Sequence, residues 1–175
     1  MARLTLILGG ARSGKSSYAV EVAKRFSSSD VTYVATARVE DDEMRRRVEM
    51  HKKRRPASWK TIESPTDLAQ TLQKIQAELI LIDCLTLYVS NMLLDNKERD
   101  AKEKYITNEI ERLCNVSYES EAEVIMVSNE VGLGIVPADP IGRQFRDIAG
   151  MVNQTVATKA NEVYLVTAGI PLALK

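Results

Sequence analysis

An α/β protein with a mostly parallel sheet flanked by helices is the architecture this sequence specifies, and three observations lead to it. Apolar runs of strand length recur near residues 3–8, 31–36, 78–83, 122–128 and 162–168. The stretches between them carry apolar residues at helical spacing, the alternation expected of parallel strands joined by crossover helices. The first apolar run also leads straight into a glycine-rich loop and then a helix, a strand–loop–helix unit with a chemical purpose of its own.

Leu4, Leu6, Ile7 and Leu8 form the first strand as a buried apolar run. Gly9, Gly10, Ala11, Arg12, Ser13, Gly14, Lys15 and Ser16 follow and complete the G-x-x-x-x-G-K-[ST] phosphate loop. With this loop after its first strand, the sheet is P-loop NTPase-like, of the RecA-like kind. Tyr18, Val22 and Phe26 lie at helical spacing over 17–26, the helix the loop requires. Residues 41–56 run from acids (Asp41, Asp42, Glu43) to bases (Lys52, Lys53, Arg54, Arg55), the order that complements a helix dipole, and Pro56 disfavours helical geometry at Arg55. Leu79, Ile80, Leu81 and Ile82 make a strand that ends in Asp83. Tyr105, Ile106 and Ile110 give the charge-rich 95–112 segment the periodicity of a surface helix. Val163, Tyr164, Leu165 and Val166 have the unbroken apolar character of a strand buried on both faces, central or near-central in the sheet.

The chain has 175 residues, 45% of them hydrophobic, enough for one substantial core, so residues 1–175 are expected to form a single domain. Net charge is zero, with no footprint for nucleic acid or an anionic membrane. The apolar N-terminal stretch is far too short to span a bilayer, and Cys84 and Cys114 lack metal-site or disulfide-framework spacing. A cytoplasmic location with reduced thiols is expected.

The loop dictates a ligand. Its glycines let successive amides converge on phosphate oxygens, the following helix points its positive end at them, Lys15 can span the terminal phosphates, and the Ser16 hydroxyl is suited to magnesium. A nucleoside triphosphate with Mg2+ is therefore expected. Asp83, at the end of a neighbouring strand, is the candidate acid on the metal side; it can also be read as the cap of the next helix. Glu130, after the 124–128 strand, is a weaker candidate of the same type. His51 is the chain's only histidine; it falls with Met44 and Val48 on the apolar stripe of its helix and should face the protein body or a cleft. Arg47 and Arg55 flank it at four-residue spacing, and cationic neighbours favour a neutral, nucleophilic ring. A solvated helix with an ordinary half-buried histidine at its end is the competing reading.

Seven segments in order, GGARSGKS at 9–16, VAT at 34–36, DDEM at 41–44, HKKRRPASW at 51–59, DCLT at 83–86, NEVGLGIVP at 129–137 and FRDIAGMVNQ at 145–154, together resemble the bifunctional adenosylcobinamide kinase/adenosylcobinamide-phosphate guanylyltransferase family of cobalamin biosynthesis. The similarity spans almost the whole chain. It implies that His51 becomes covalently guanylylated. It also implies that the phosphate loop, Val34, Ala35, Thr36, Lys52, Lys53, Arg54, Arg55, Glu63 and Asp83 serve the guanine nucleotide. Two reactions are implied at one site: ATP or GTP phosphorylates adenosylcobinamide, and GMP then passes from GTP through His51 to the phosphorylated product, giving adenosylcobinamide-GDP and pyrophosphate. A homotrimer with its site near a subunit boundary is implied as well. Two other readings of the motifs remain: a small-molecule P-loop kinase with no covalent intermediate, and a regulatory GTPase. The second lacks the usual N/T-K-x-D guanine reader, since Thr158-Lys159-Ala160-Asn161 ends in Asn.

Overall fold

The computed structural model describes residues 3–26, 30–38, 42–53, 55–95 and 99–175. In chain order the elements are β1 (Leu4–Gly9), α1 (Lys15–Phe26), β2 (Val31–Ala35), α2 (Asp42–Lys53), β3 (Lys60–Glu63), α3 (Leu68–Leu72) and β4 (Leu79–Asp83). They continue with α4 (Leu85–Leu93), α5 (Arg99–Glu119), β5 (Glu123–Asn129), α6 (Pro140–Lys159), β6 (Glu162–Thr167) and β7 (Ile170–Ala173). One seven-stranded sheet results, in the order β3-β2-β4-β5-β1-β6-β7. β1 to β6 run parallel, and β7 returns antiparallel to β6. The mostly parallel sheet read from the sequence is present.

Period-two alternation divides the strand side chains between two cores. On one face Leu4, Leu6, Leu8, Ile80 and Ile82 pack under Leu68 and Leu72 of α3, Leu85 and Tyr88 of α4, Ile106 and Ile110 of α5, and Ile148 and Val152 of α6. On the other, Ile7, Val31, Tyr33, Leu79, Leu81 and Val127 pack against Ala19, Val20 and Ala23 of α1 and against Trp59. Every residue of β1 up to Leu8 is buried, as a strand covered on both faces requires. Each fully buried Leu or Ile contributes about 1.5–3 kcal/mol relative to exposure. α6 starts cleanly because the Asp139 carboxylate accepts the Gly142 amide at 2.6 Å and Pro140 occupies the first turn.

Three sequence expectations change. β6 is next to the sheet edge rather than central, and Tyr164 and Leu165 are only half-buried, because its outer neighbour is the short strand β7, whose residues are all exposed. β3 and β7 have no counterpart in the apolar runs read from the sequence: both are edge strands of four residues, β3 with a single apolar residue and β7 interrupted by Pro171. The surface helix read over 95–112 is α5, which runs on to Glu119.

Candidate active site

The parallel strands deliver their carboxyl ends to one edge of the sheet, where open α/β sheets hold ligands. Register puts Gly9 level with Asn129 and Val166, and Ala35 level with both Asp83 and Glu63. The phosphate loop leaves β1 at this edge. A Cβ on Gly9 would come within 2.7 Å of the Val166 carbonyl, and Gly14 has φ +95° with Gly169 Cα only 3.1 Å from where its Cβ would lie. Both positions exclude a side chain. The Gly169 amide also donates to the Ser13 carbonyl at 2.8 Å, so the turn between β6 and β7 props the loop from behind. Lys15 is buried and its Nζ donates to the Gly10 carbonyl at 3.1 Å, folding the side chain back over the loop. Burial lowers the Lys15 ammonium from its ordinary range, and the nearby Cys84 and Asp83 oppose that shift.

Asp83 is the centre of the site. Leu79, Leu81 and Asp83 point to the α1 face of the sheet, as do Val31, Tyr33 and Ala35 on β2. Tyr33 stands opposite Leu81, one step along that face from Asp83, a diagonal that an aromatic side chain can bridge. Its hydroxyl donates to Asp83 Oδ2 at 2.9 Å. The same oxygen lies 3.6 Å from His51 Nδ1, an ion-pair separation somewhat beyond a direct hydrogen bond. Asp83 is nearly enclosed, whereas the His51 side chain is 40% exposed. Arg55, just past α2, stacks its guanidinium 3.6 Å from the centre of the Tyr33 ring, and its Nη1 is buried with no hydrogen-bond partner among the described residues.

Burial alone would raise the Asp83 carboxyl, but His51, the Tyr33 hydroxyl and the Ser16 hydroxyl outweigh it and hold Asp83 below its ordinary range. Asp83 is thus kept as a carboxylate. Burial beside that carboxylate pushes the Tyr33 phenol far up, so Tyr33 stays a hydrogen-bond donor. The backbone next to Asp83 is tied down too: the Thr36 hydroxyl donates to the Cys84 carbonyl at 2.7 Å and accepts from the Cys84 amide at 2.8 Å, and Asn91 Nδ2 donates to the Thr36 and Pro65 carbonyls. A magnesium seat needs only one or two protein groups, because phosphates and waters complete its octahedron. Ser16, the last residue of the phosphate loop motif, and the Asp83 carboxylate offer an oxygen pair of the kind such a seat uses.

The structure therefore brings the phosphate loop, Asp83, His51 and Arg55 together. Val34 and Thr36 turn fully buried side chains into the protein, Ala35 is half-buried beside them, and the Thr36 amide and carbonyl are taken up by the Asp83 carbonyl and Asn91. Lys52 and Lys53 are exposed at the end of α2. Glu63 is exposed two strands away from Asp83 across β2. Arg54 lies outside the described residues, as do the side chains of Met44 and Arg47. Glu130 is tied to the loop by its amide, which donates to the Gly9 carbonyl at 3.0 Å, while its carboxylate accepts the Gly132 amide.

Sequence reasoning about His51 weighed only neighbouring cations and missed the carboxylate that faces it. It also missed Tyr33. The available signal was a tyrosine inside a buried strand, since a buried phenol hydroxyl usually has a partner.

A sequence model of the family described as cobinamide kinase / cobinamide phosphate guanyltransferase matches residues 5–174. The bifunctional adenosylcobalamin biosynthesis protein CobU of Escherichia coli strain K12 is 42% identical, with 98% of this chain and 99% of that protein aligned. CobP of Pseudomonas aeruginosa, of the same description, is 44% identical over 97% of this chain and 96% of its own. CobU of Salmonella typhimurium strain LT2 is 41% identical, with 98% and 99% covered. Among solved structures, an ATPase domain superposes with a TM-score of 0.50 at 15% identity, covering 93% of this chain and 68% of that one. At that identity the likeness is one of fold.

Proposed function

The chain belongs to the cobinamide kinase / cobinamide phosphate guanyltransferase family, and from that premise we propose that it phosphorylates adenosylcobinamide with ATP or GTP and then guanylylates the product from GTP through His51. The observation that carries this reading is the placement of the only histidine, 3.6 Å from the carboxylate at the mouth of a phosphate loop.

In the kinase step the substrate hydroxyl attacks the γ-phosphate of a nucleotide held by the loop amides and the positive end of α1. Lys15, released from Gly10, meets the charge that develops on the transferred group. In the guanylyl step His51 attacks the α-phosphate, pyrophosphate leaves, and GMP stays on the ring as a phosphoramidate until the phosphate of the phosphorylated cobinamide takes it. Lys52, Lys53, Arg54 and Arg55 supply positive charge for the phosphates and the leaving group, and the unpartnered Nη1 of Arg55 supports that role. Ser16 and Asp83 would hold Mg2+, which would draw the phosphates together and offset their charge. Because attack falls first at γ and then at α, the nucleotide must take two poses or α2 must shift over the loop.

The single sheet supports reading residues 1–175 as one catalytic domain. The two free, buried cysteines support a reducing cytoplasmic setting. No helix among the described residues is long and apolar enough to cross a membrane. A homotrimer with the site near a subunit boundary is supported by the apolar surface left exposed after β5, with Leu133 at 87% and Ile135 at 96%; light scattering reads the mass.

GTP labelled separately at α and γ tests the chemistry. Retention of α-label on the protein, acid-labile and lost in His51→Ala, is expected, with γ-transfer to adenosylcobinamide surviving in that variant. Loss of both activities in a folded, nucleotide-binding His51→Ala protein would refute a role confined to the second step.

A further inference from the structure

We propose that Tyr33 and Asp83 act as a positioning pair that turns Nδ1 of His51 inward and leaves Nε2 as the atom that carries the guanylyl group. The inference rests on the reading of His51 as guanylyl carrier given above and specifies its chemistry.

The two nitrogens of an imidazole point away from each other, so the one facing Asp83 cannot also face a nucleotide. Nδ1 is the nitrogen that faces Asp83. Nε2 has no hydrogen-bond partner among the described residues, on a side chain that is 40% exposed. A carboxylate beside Nδ1 favours the tautomer with its proton there, and that tautomer has its lone pair on Nε2. The 3.6 Å separation suits a contact that tightens once nucleotide is bound, as catalytic hydrogen bonds often do.

Asp83 can do this only if its own orientation is fixed. The Tyr33 hydroxyl holds Oδ2, the same oxygen that faces His51, and the Arg55 guanidinium covers the Tyr33 ring. Tyr33 thus acts on the histidine through the carboxylate. It does not reach the reacting atoms itself, so its role is positioning.

The chemistry balances without a proton leaving the ring. The Nε2 lone pair attacks the α-phosphorus of GTP, the bond from that phosphorus to the oxygen bridging it to the β-phosphate breaks, and pyrophosphate departs with the electron pair. The adduct keeps its Nδ1 proton and is cationic on the ring, facing the Asp83 carboxylate. A phosphate oxygen of the acceptor then attacks the same phosphorus, an anhydride forms, the bond to Nε2 breaks, and its electrons restore the neutral imidazole.

The full-length protein is incubated with α-labelled GTP and Mg2+, the guanosine is stripped by periodate oxidation and β-elimination, and the alkaline hydrolysate is chromatographed against the two phosphohistidine isomers. Label at the Nε2 isomer is expected. Label at the Nδ1 isomer would overturn the inference while leaving His51 as the carrier; no histidine adduct at all would remove the carrier reading and this inference with it. The Tyr33→Phe variant keeps the ring under Arg55 and loses only the hydroxyl. Its kcat for guanylylation is expected to fall roughly tenfold or more, the usual worth of a hydrogen bond to a charged group, with KM for GTP within about twofold. Nδ1 isomer should appear in its adduct, a change that a merely structural role would not produce. A folded Tyr33→Phe protein with wild-type kcat and only the Nε2 isomer would remove Tyr33 from the pair.

Discussion

The phosphate loop and helix α2 meet over the same carboxylate, yet different forces hold them. The loop is built into the core: β1 is buried on both faces, α1 buries Ala19, Val20 and Ala23 beneath it, and the Gly169 turn closes against Ser13 and Gly14 from behind. α2 is mostly charged. Its Val48 is half-buried and Met50 is 54% exposed, the Arg45–Asp42 pair lies at the surface, and among the described residues it is tied to the site by the polar contact of His51 with Asp83. In the proposed reactions the first region would anchor phosphates by geometry that the hydrophobic core enforces. The second would deliver the proposed nucleophile, His51, by contacts that can be remade, which suits an enzyme with attack at two different phosphorus atoms of one nucleotide.

The contrast is most exposed to failure in the core half. Ile7 is fully buried on the α1 face of β1, and Ile7→Ala removes most of its side chain from a packed site. A loss of about 2–5 kcal/mol is expected, which for a chain of this size lowers Tm by roughly 5–20 °C. Both activities should fall together as folded protein is lost. A melt within a degree or two of wild type would mean that the loop does not depend on the core beneath it.

A smaller effect is expected at Gly14. Its φ of +95° is closed to L side chains, and a Cβ would meet Gly169 Cα at 3.1 Å. Backbone strain of this kind costs on the order of 1–3 kcal/mol. Because the strain falls in the loop, Gly14→Ala should abolish nucleotide binding, read by calorimetry, while the protein remains folded. Wild-type affinity in this variant would show that the loop tolerates rearrangement and is no more fixed than α2.

The same contrast explains which parts of the molecule the sequence disclosed. The phosphate loop is a contiguous motif whose glycine spacing states its own geometry, and strands such as Leu79–Asp83 are unbroken apolar runs because both their faces are covered. β3 and β7 escaped for different reasons: Ile62 is the only apolar residue of β3, whereas β7 is apolar but only four residues long and broken by Pro171, tolerated where a strand edge is free. The carboxylate at Asp83 was legible as a strand-end acid. Its partnership with Tyr33 was not, because that depends on β2 lying beside β4 in a register that sets Tyr33 against Leu81, and residues 50 apart acquire that relation only in the folded sheet. His51 stood out as a lone histidine on an apolar stripe, but its setting was misjudged, since the charges visible beside it in sequence were arginines and the group it faces comes from another strand.

The smallest stability effect belongs to α2, and it tests the contrast most directly. Val48 is a half-buried apolar residue of this helix, one turn before His51. Val48→Ala removes little buried surface and improves helix propensity, so its net cost should be under about 1 kcal/mol, a shift of a few degrees at most in Tm. Its consequence for function should be out of proportion. Loosening α2 lets His51 swing away from Asp83, so formation of the α-labelled adduct should slow by a few-fold, while γ-phosphate transfer, which uses the loop and Lys15, stays within about twofold of wild type. Equal loss of both activities would mean that α2 and the loop form one rigid unit. In that case the nucleotide itself, and not the helix, would have to change position between the two reactions.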